Sequence, residues 1–158
     1  MTPTPISSAT EAAVLALNNL NAQELSWLEP PALRSIVAQA FYAKAIGNLD
    51  AFLLALDHAA TYDSPNYAWL KARYPRFIYV DRIAVAVAAR GRGLARLLYE
   101  DLFRQTIAAG FELVVCEVNC MPPNPGSDAF HAALGFEEVG RADLIGRNKT
   151  VRYLARRF

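Results

Sequence analysis

Arg90-Gly91-Arg92-Gly93 is the stretch whose residue types dictate a chemistry most directly. It lies in IAVAVAARGRGLARLLYE, residues 83–100, which passes from an apolar run through a basic glycine turn into an amphipathic helix. A helix start leaves several backbone N–H groups without partners, all pointing the same way. The helix dipole adds partial positive charge there. Gly91 and Gly93 carry no Cβ, so a ligand can approach the backbone closely. Arg90, Arg92 and Arg96 supply full charges around it. That combination suits a phosphate or a pyrophosphate. The other reactive residue types say less. Cys116 and Cys120, four apart, make a poor disulfide pair and lack the spacing of a zinc site, so no metal is expected. Cys120 has no accompanying His–Asp signature for covalent catalysis.

These residues need a scaffold, and 158 residues are enough for one domain with a real core. The chain is 54% hydrophobic and 20% charged, with a net charge of +1. It therefore exerts no overall pull on nucleic acid or on an anionic membrane surface. The N-terminus lacks the cationic start and apolar run of a signal peptide. No stretch reaches the roughly 20 apolar residues of a membrane span. A reducing cytoplasm is the expected compartment.

The clearest strand is FIYVDRIAVAV, residues 77–87. Strict alternation puts Tyr79, Asp81, Ile83 and Val85 on one face and Val80, Arg82 and Ala84 on the other. The helix after the turn shows Leu94, Leu98 and Leu102 on one stripe, with Gly110 as its stop. ELVVCEV, residues 112–118, is the next strand, and strand–helix–strand makes the two strands parallel neighbours. Upstream, residues 1–9 read as a loose tail. Residues 11–17 fit a strand or a short helix, and residues 18–28 read as a helix. Pro31 opens another helix. Gly47-Asn48-Leu49 joins a hairpin of residues 38–46 and 50–57. Ser64-Pro65 starts a short helix rich in aromatics. Downstream, Asn124 or Ser127 caps a helix that Gly135 ends, and residues 136–139 and 150–154 form closing strands. The fold class is α/β (α+β), one mixed sheet with helices on both faces.

Arg90-Gly91-Arg92-Gly93-Leu94-Ala95 fits the pattern Gln/Arg-x-x-Gly-x-Gly/Ala. Asn124-x-x-Ser127-x-x-Phe130-His131-x-x-Leu134-Gly135-Phe136 is similar to Asn-x-x-Ala/Ser-x-x-Phe-Tyr-x-x-x-Gly-Phe. In this order, one helix and one strand apart, the two blocks resemble the GCN5-related N-acetyltransferase superfamily. The resemblance implies a single domain over residues 1–158. Residues 10–75 are then mainly the acceptor side, 77–140 the acetyl-coenzyme A core and 141–158 the closing strand. It implies acetyl-CoA as donor, an amine acceptor on a small molecule or a peptide or protein N-terminus, and no nucleic acid or membrane partner. A homodimer is compatible with it. The pyrophosphate would lie on Arg90, Gly91, Arg92, Gly93, Leu94, Ala95 and Arg96. The pantetheine arm would lie in a splayed parallel pair, along Ile83, Ala84, Val85 and Val87, with Asn124 and Ser127 beyond.

Direct attack of an amine on a thioester needs a base, a main-chain N–H for the carbonyl and an acid for the leaving thiolate. The resemblance offers two bases. Glu117 corresponds to a catalytic Glu of ribosomal-protein N-terminal acetyltransferases. Asp81 and Tyr79 correspond to the strand histidines of serotonin N-acetyltransferase. Asp81 can instead pair with a neighbouring Arg, and Tyr79 reads as a wall of the acceptor pocket beside Asp81 and Glu117. His131 stands where many members have the Tyr acid. Cys116 alternates with Glu117 and reads as core. The loop Met121-Pro122-Pro123 stands near the thioester end. A CoA-binding domain without catalysis, and transfer of another acyl group, are the rival readings.

Overall fold

The computed structural model describes residues 1–121 and 123–158. Within them the strands are β1 (Thr4–Pro5), β2 (Tyr42–Ile46), β3 (Ala51–Asp57), β4 (Ile78–Val85), β5 (Leu113–Met121), β6 (Glu137–Leu144) and β7 (Lys149–Arg157). The helices are α1 (Glu11–Leu20), α2 (Ala22–Leu25), α3 (Pro30–Gln39), α4 (Pro65–Lys71), α5 (Leu94–Ala108) and α6 (Pro125–Ala133). One sheet runs in the order β1-β2-β3-β4-β5-β7-β6. Only β4 and β5 pair in parallel among the described residues; the other neighbours are antiparallel.

Most element starts follow local chemistry. The Ser64 hydroxyl accepts the Tyr67 N–H, and Pro65 occupies the first turn of α4. Asn124 does the same for α6, where its Oδ1 accepts the Ser127 N–H at 3.2 Å. Gly110 follows α5 at φ +80°, a left-handed geometry that glycine adopts freely.

Three expectations change. The tail is ordered from Thr4: β1 pairs with β2, and Ile6 is buried as its apolar anchor. Residues 11–17 resolve to helix. Residues 18–28 are not one helix, because Ser26 at φ 71° turns the chain after α2. Asn18 and Asn19 are spent on that turn: the Asn18 amide donates to Ser26 O, and the Asn19 side chain exchanges bonds with the Leu28 backbone. β2 begins at Tyr42, since α3 runs through Gln39.

The two faces of the sheet bury separate cores. One gathers Val14, Leu33, Ile36, Tyr67, Phe77 and Tyr79 under α1, α3 and α4. The other gathers Ile78, Val80, Leu94, Leu98, Leu102 and Cys116 under α5. At the far edge, Trp69 stacks on Tyr153, with ring centroids 3.9 Å apart, and carries the Arg73 guanidinium at 3.5 Å. Gly140 faces this stack, where a Cβ would stand 2.5 Å from the indole. Gly140→Ala is therefore expected to cost about 1–3 kcal/mol in denaturant unfolding. A smaller cost would mean that the stack yields.

Candidate active site

The site begins with one surplus residue. Leu54 of β3 lies opposite Arg82 and Ala55 opposite Val80, so Asp81 is a β-bulge in β4. The bulge reverses the alternation read from the sequence. Tyr79 shares its core with Ala84, while Val80 shares the other with Ile83 and Val85. It also marks where β4 and β5 part. They pair only at Ile78–Val114 and Tyr79–Val115. Beyond that point β4 remains bonded to β3, and β5 to β7. Their facing edges are free of each other, which leaves backbone N–H and C=O groups for a ligand.

A cavity of about 510 Å³ occupies this parting and reaches both faces of the sheet. On one side Leu28, Ile36, Tyr62 and Asn66 line it. On the other side Tyr99 and His131 line it. Tyr79, Asp81, Ile83, Glu117, Asn124 and Ser127 are also in its wall. The structure thus brings these seven expected site residues, His131 included, to one space. Ala84, Val85, Val87 and residues 90–96 lie outside its wall. Val87 is 76% exposed on a short 3-10 turn at Val87–Ala89.

Glu117 is the least comfortable group in the wall. Its Oε1 accepts from the Tyr79 hydroxyl at 3.0 Å and from the Asn66 amide at 3.1 Å. Its Oε2 is sealed from solvent and has no hydrogen-bond partner. Burial, and then the charge of Asp81, push its pKa up to about 8. Asp81 is better served. Arg82 Nε donates to it at 2.7 Å, and the same guanidinium reaches Asn18 Oδ1 and the Tyr62 hydroxyl.

His131 is buried with both ring nitrogens engaged. Nδ1 stands 2.7 Å from Ser127 O, a carbonyl that can only accept, so Nδ1 carries the proton. In the neutral ring Nε2 then accepts, and the Tyr99 hydroxyl at 3.0 Å is its donor. Burial holds the imidazole below its usual pKa. Cys116 is buried on the α5 face, opposite Glu117 as expected, and both cysteines are free thiols.

The glycine turn is open and leaves its amides unspent. Gly91 and Gly93 have φ of +78° and +73°, and a Cβ on either would meet nothing within 4 Å. The first turn-to-helix bond runs from Leu97 N to Gly93 O, and the N–H groups of residues 91–96 have no protein acceptor among the described residues. Arg90 reaches Val85 O and Asn21, Arg92 approaches Asp50 at 3.9 Å, and Arg96 pairs with Glu100. All three arginines are exposed.

The expected pairing of Asp81 with a neighbouring Arg is found in Arg82; sequence reasoning missed Tyr99, Tyr153 and the reach of Arg82 to Asn18 and Tyr62. No local pattern marks them, since each acts on residues far away in the chain. Asn66 and Tyr62 carried a faint signal, the polar and aromatic density of the connection before β4. Of the loop near the thioester end, Met121 is exposed and Pro122 lies outside the described residues.

Residues 59–136 match the family described as acetyltransferase (GNAT) family. No curated protein sequence matches the chain. Among solved structures it is similar to the ribosomal-protein-S18-alanine N-acetyltransferase of Escherichia coli, with 16% identity and a TM-score of 0.71 over 98% of this chain and 91% of that one. A ribosomal-protein-alanine N-acetyltransferase of Brucella melitensis gives 18% identity and 0.73 over 100% of both chains. The protein yncA of Salmonella typhimurium, solved with its cofactor acetyl-CoA, gives 17% identity and 0.72 over 99% and 93%. At such identities these likenesses show the fold. Among the described residues no group of His, Cys, Asp and Glu has the arrangement of a metal site, and no helix is long and apolar enough to cross a membrane.

The raised pKa of Glu117 has a thermodynamic consequence. The unfolded chain releases this proton near 4.5 and the folded chain near 8, so folding loses stability as pH rises through that window. Gln cannot ionise. The melting temperature of Glu117→Gln, relative to the natural chain, is expected to rise between about pH 5 and about pH 8. A pH-independent difference would mean that Glu117 titrates normally.

Proposed function

We propose that this chain is an acetyl-CoA-dependent N-acetyltransferase acting on an amine of a small molecule or of a peptide or protein N-terminus. The observation that carries the reading is Glu117, a carboxylate in the wall of a cavity that pierces the sheet, with one oxygen, Oε2, left without a hydrogen-bond partner. A buried polar atom of this kind calls for a donor, and an amine supplies one. Acetyl-CoA, when bound, supplies a thioester carbon open to attack.

The residues divide the work along the parting. The N–H groups of residues 91–96 and the start of α5 hold the pyrophosphate. The free edge of β4 along Ile83, Ala84 and Val85, with Asn124 and Ser127 opposite, holds the peptide-like arm. An N–H of that edge polarises the carbonyl. Glu117 takes the proton from the amine, directly or through a water. Asp81, fixed by Arg82, keeps Glu117 basic and attracts the cationic acceptor, with Tyr79 as wall. On the opposite face, the hydrogen-bonded pair of Tyr99 and His131 stands where the departing sulfur takes up a proton, and the Tyr99 hydroxyl turns from His131 Nε2 to give it. His131 thus serves the acid function through a neighbour. Residues 10–75 form the acceptor side, and the two free thiols suit a cytoplasmic setting.

A second reading is a CoA-binding domain with weak catalysis. It is favoured by the full engagement of both His131 nitrogens within the protein. Acetyl-CoA with a panel of amines, following free thiol, separates the two. Turnover supports the enzyme, while tight CoA binding without thiol release supports the binding domain.

Because the base must be ionised, the rate is expected to climb with pH through about 8 and then level. Glu117→Gln is expected to lower the rate by about 100-fold or more and to abolish that limb, with acetyl-CoA affinity retained. Gly93→Glu is expected to lose acetyl-CoA binding in calorimetry, through crowding, charge and a φ of +73° that Glu adopts poorly. Unchanged affinity would remove the turn from the donor site.

A further inference from the structure

Glu117 is not held by the strand alone. Asn66, in the first turn of α4, donates its amide to Glu117 Oε1 at 3.1 Å. The Tyr153 hydroxyl, on β7, donates to Asn66 Oδ1 at 2.9 Å. That bond fixes which end of the Asn66 amide faces Glu117, since the oxygen is already taken. Tyr153 is itself immobilised by its stack on Trp69, and its ring is fully buried. Asn66 is set by the cap of α4, where Ser64 receives the Tyr67 N–H. The Tyr79 hydroxyl approaches the same Oε1 at 3.0 Å. Two donors thus converge on one oxygen and leave the other bare.

We infer that Asn66 is a positioning residue for the base: oriented by Tyr153, it ties down Glu117 Oε1 and so fixes the carboxylate in the wall of the cavity that receives the acceptor. The inference rests on the reading of Glu117 as the base. It adds a role to a helix that nothing in the sequence motifs touches. It also explains why the chain places an asparagine, rather than an aspartate, beside a buried carboxylate. A donor stabilises the ionised form, whereas a second carboxylate would oppose it. The other charged or titratable groups around Glu117 are Tyr79, Asp81 and Arg82 on β4, Cys116 on β5, Tyr153 on β7 and Tyr99 on α5. Arg82 is already engaged by Asp81, so Asn66 and Tyr79 are the donors bonded to the Glu117 side chain among the described residues.

The test is a carbon-13 titration of the Glu117 carboxyl in the full-length chain, with the resonance assigned by its loss in Glu117→Gln. It needs no acceptor. Asn66→Ala is expected to raise the titration midpoint by about one unit, the worth of one hydrogen bond to a charged group. Asn66→Asp, nearly the same shape, is expected to raise it further. Tyr153→Phe keeps the stack on Trp69 and is expected to fall between the natural chain and Asn66→Ala. Acetyl-CoA affinity should stay unchanged in all three. A folded Asn66→Asp chain, checked by circular dichroism, that titrates as the natural one does would overturn the positioning role. Thiol release by Glu117→Gln at the natural rate would overturn the base reading beneath it.

Discussion

Everything in this molecule depends on a ladder of hydrogen bonds that stops early. β4 and β5 begin as ordinary parallel neighbours and exchange contact at only two residue pairs. Asp81 then adds one residue to β4 with no counterpart on β3. The extra residue bends the strand, as bulges do, and the two strands diverge. Unpaired strand edges are normally avoided because their polar groups go unsatisfied. Here each strand keeps its outer partner, and the inner edges border a cavity. The glycine turn follows the free end of β4, and Asp81 and Glu117 each stand two residues beyond the last pair.

The electrostatics follow from the same divergence. It lets two carboxylates, Asp81 and Glu117, face one space, and the fold treats them in opposite ways. Asp81 receives a guanidinium that also pins Asn18, Tyr62 and the turn at Ser26. A buried ion pair of this kind contributes little net stability but fixes geometry. Here it joins the bulge to Asn18, Tyr62 and the turn at Ser26. Glu117 receives only neutral donors and feels Asp81 nearby, so its proton affinity rises. A carboxylate poised near neutral pH suits proton transfer and burdens the fold, a trade familiar at working sites.

The sequence was most legible where structure is local. Ser64-Pro65, Asn124, Gly110 and the glycine turn mark their positions through chemistry that acts within four residues. The leucine stripe of α5 and the strands around it followed from periodicity. The pair of blocks at residues 90–95 and 124–136 carried the resemblance, and both lie within the residues that the family match covers. Legibility failed where one residue changes a long-range pattern. The bulge at Asp81 left no mark in FIYVDRIAVAV, and strict alternation therefore put Tyr79 and Ile83 on one face. The strand at Thr4–Pro5 exists because β2 offers an edge, not because Thr and Pro favour strands. Asn66, Tyr99 and Tyr153 matter only through partners 32 to 87 residues away.

The most direct test of the account is a crystal structure of the chain with coenzyme A and an unreactive acetyl thioether. The account predicts the pyrophosphate on the amides of residues 91–96 and the arm along the free edge of β4. The carbonyl group should then lie between Glu117 on one face and Tyr99 on the other, with the Glu117 carboxylate in reach directly or through one water. A donor lying elsewhere, or a carbonyl walled off from Glu117 by the sheet, would contradict it.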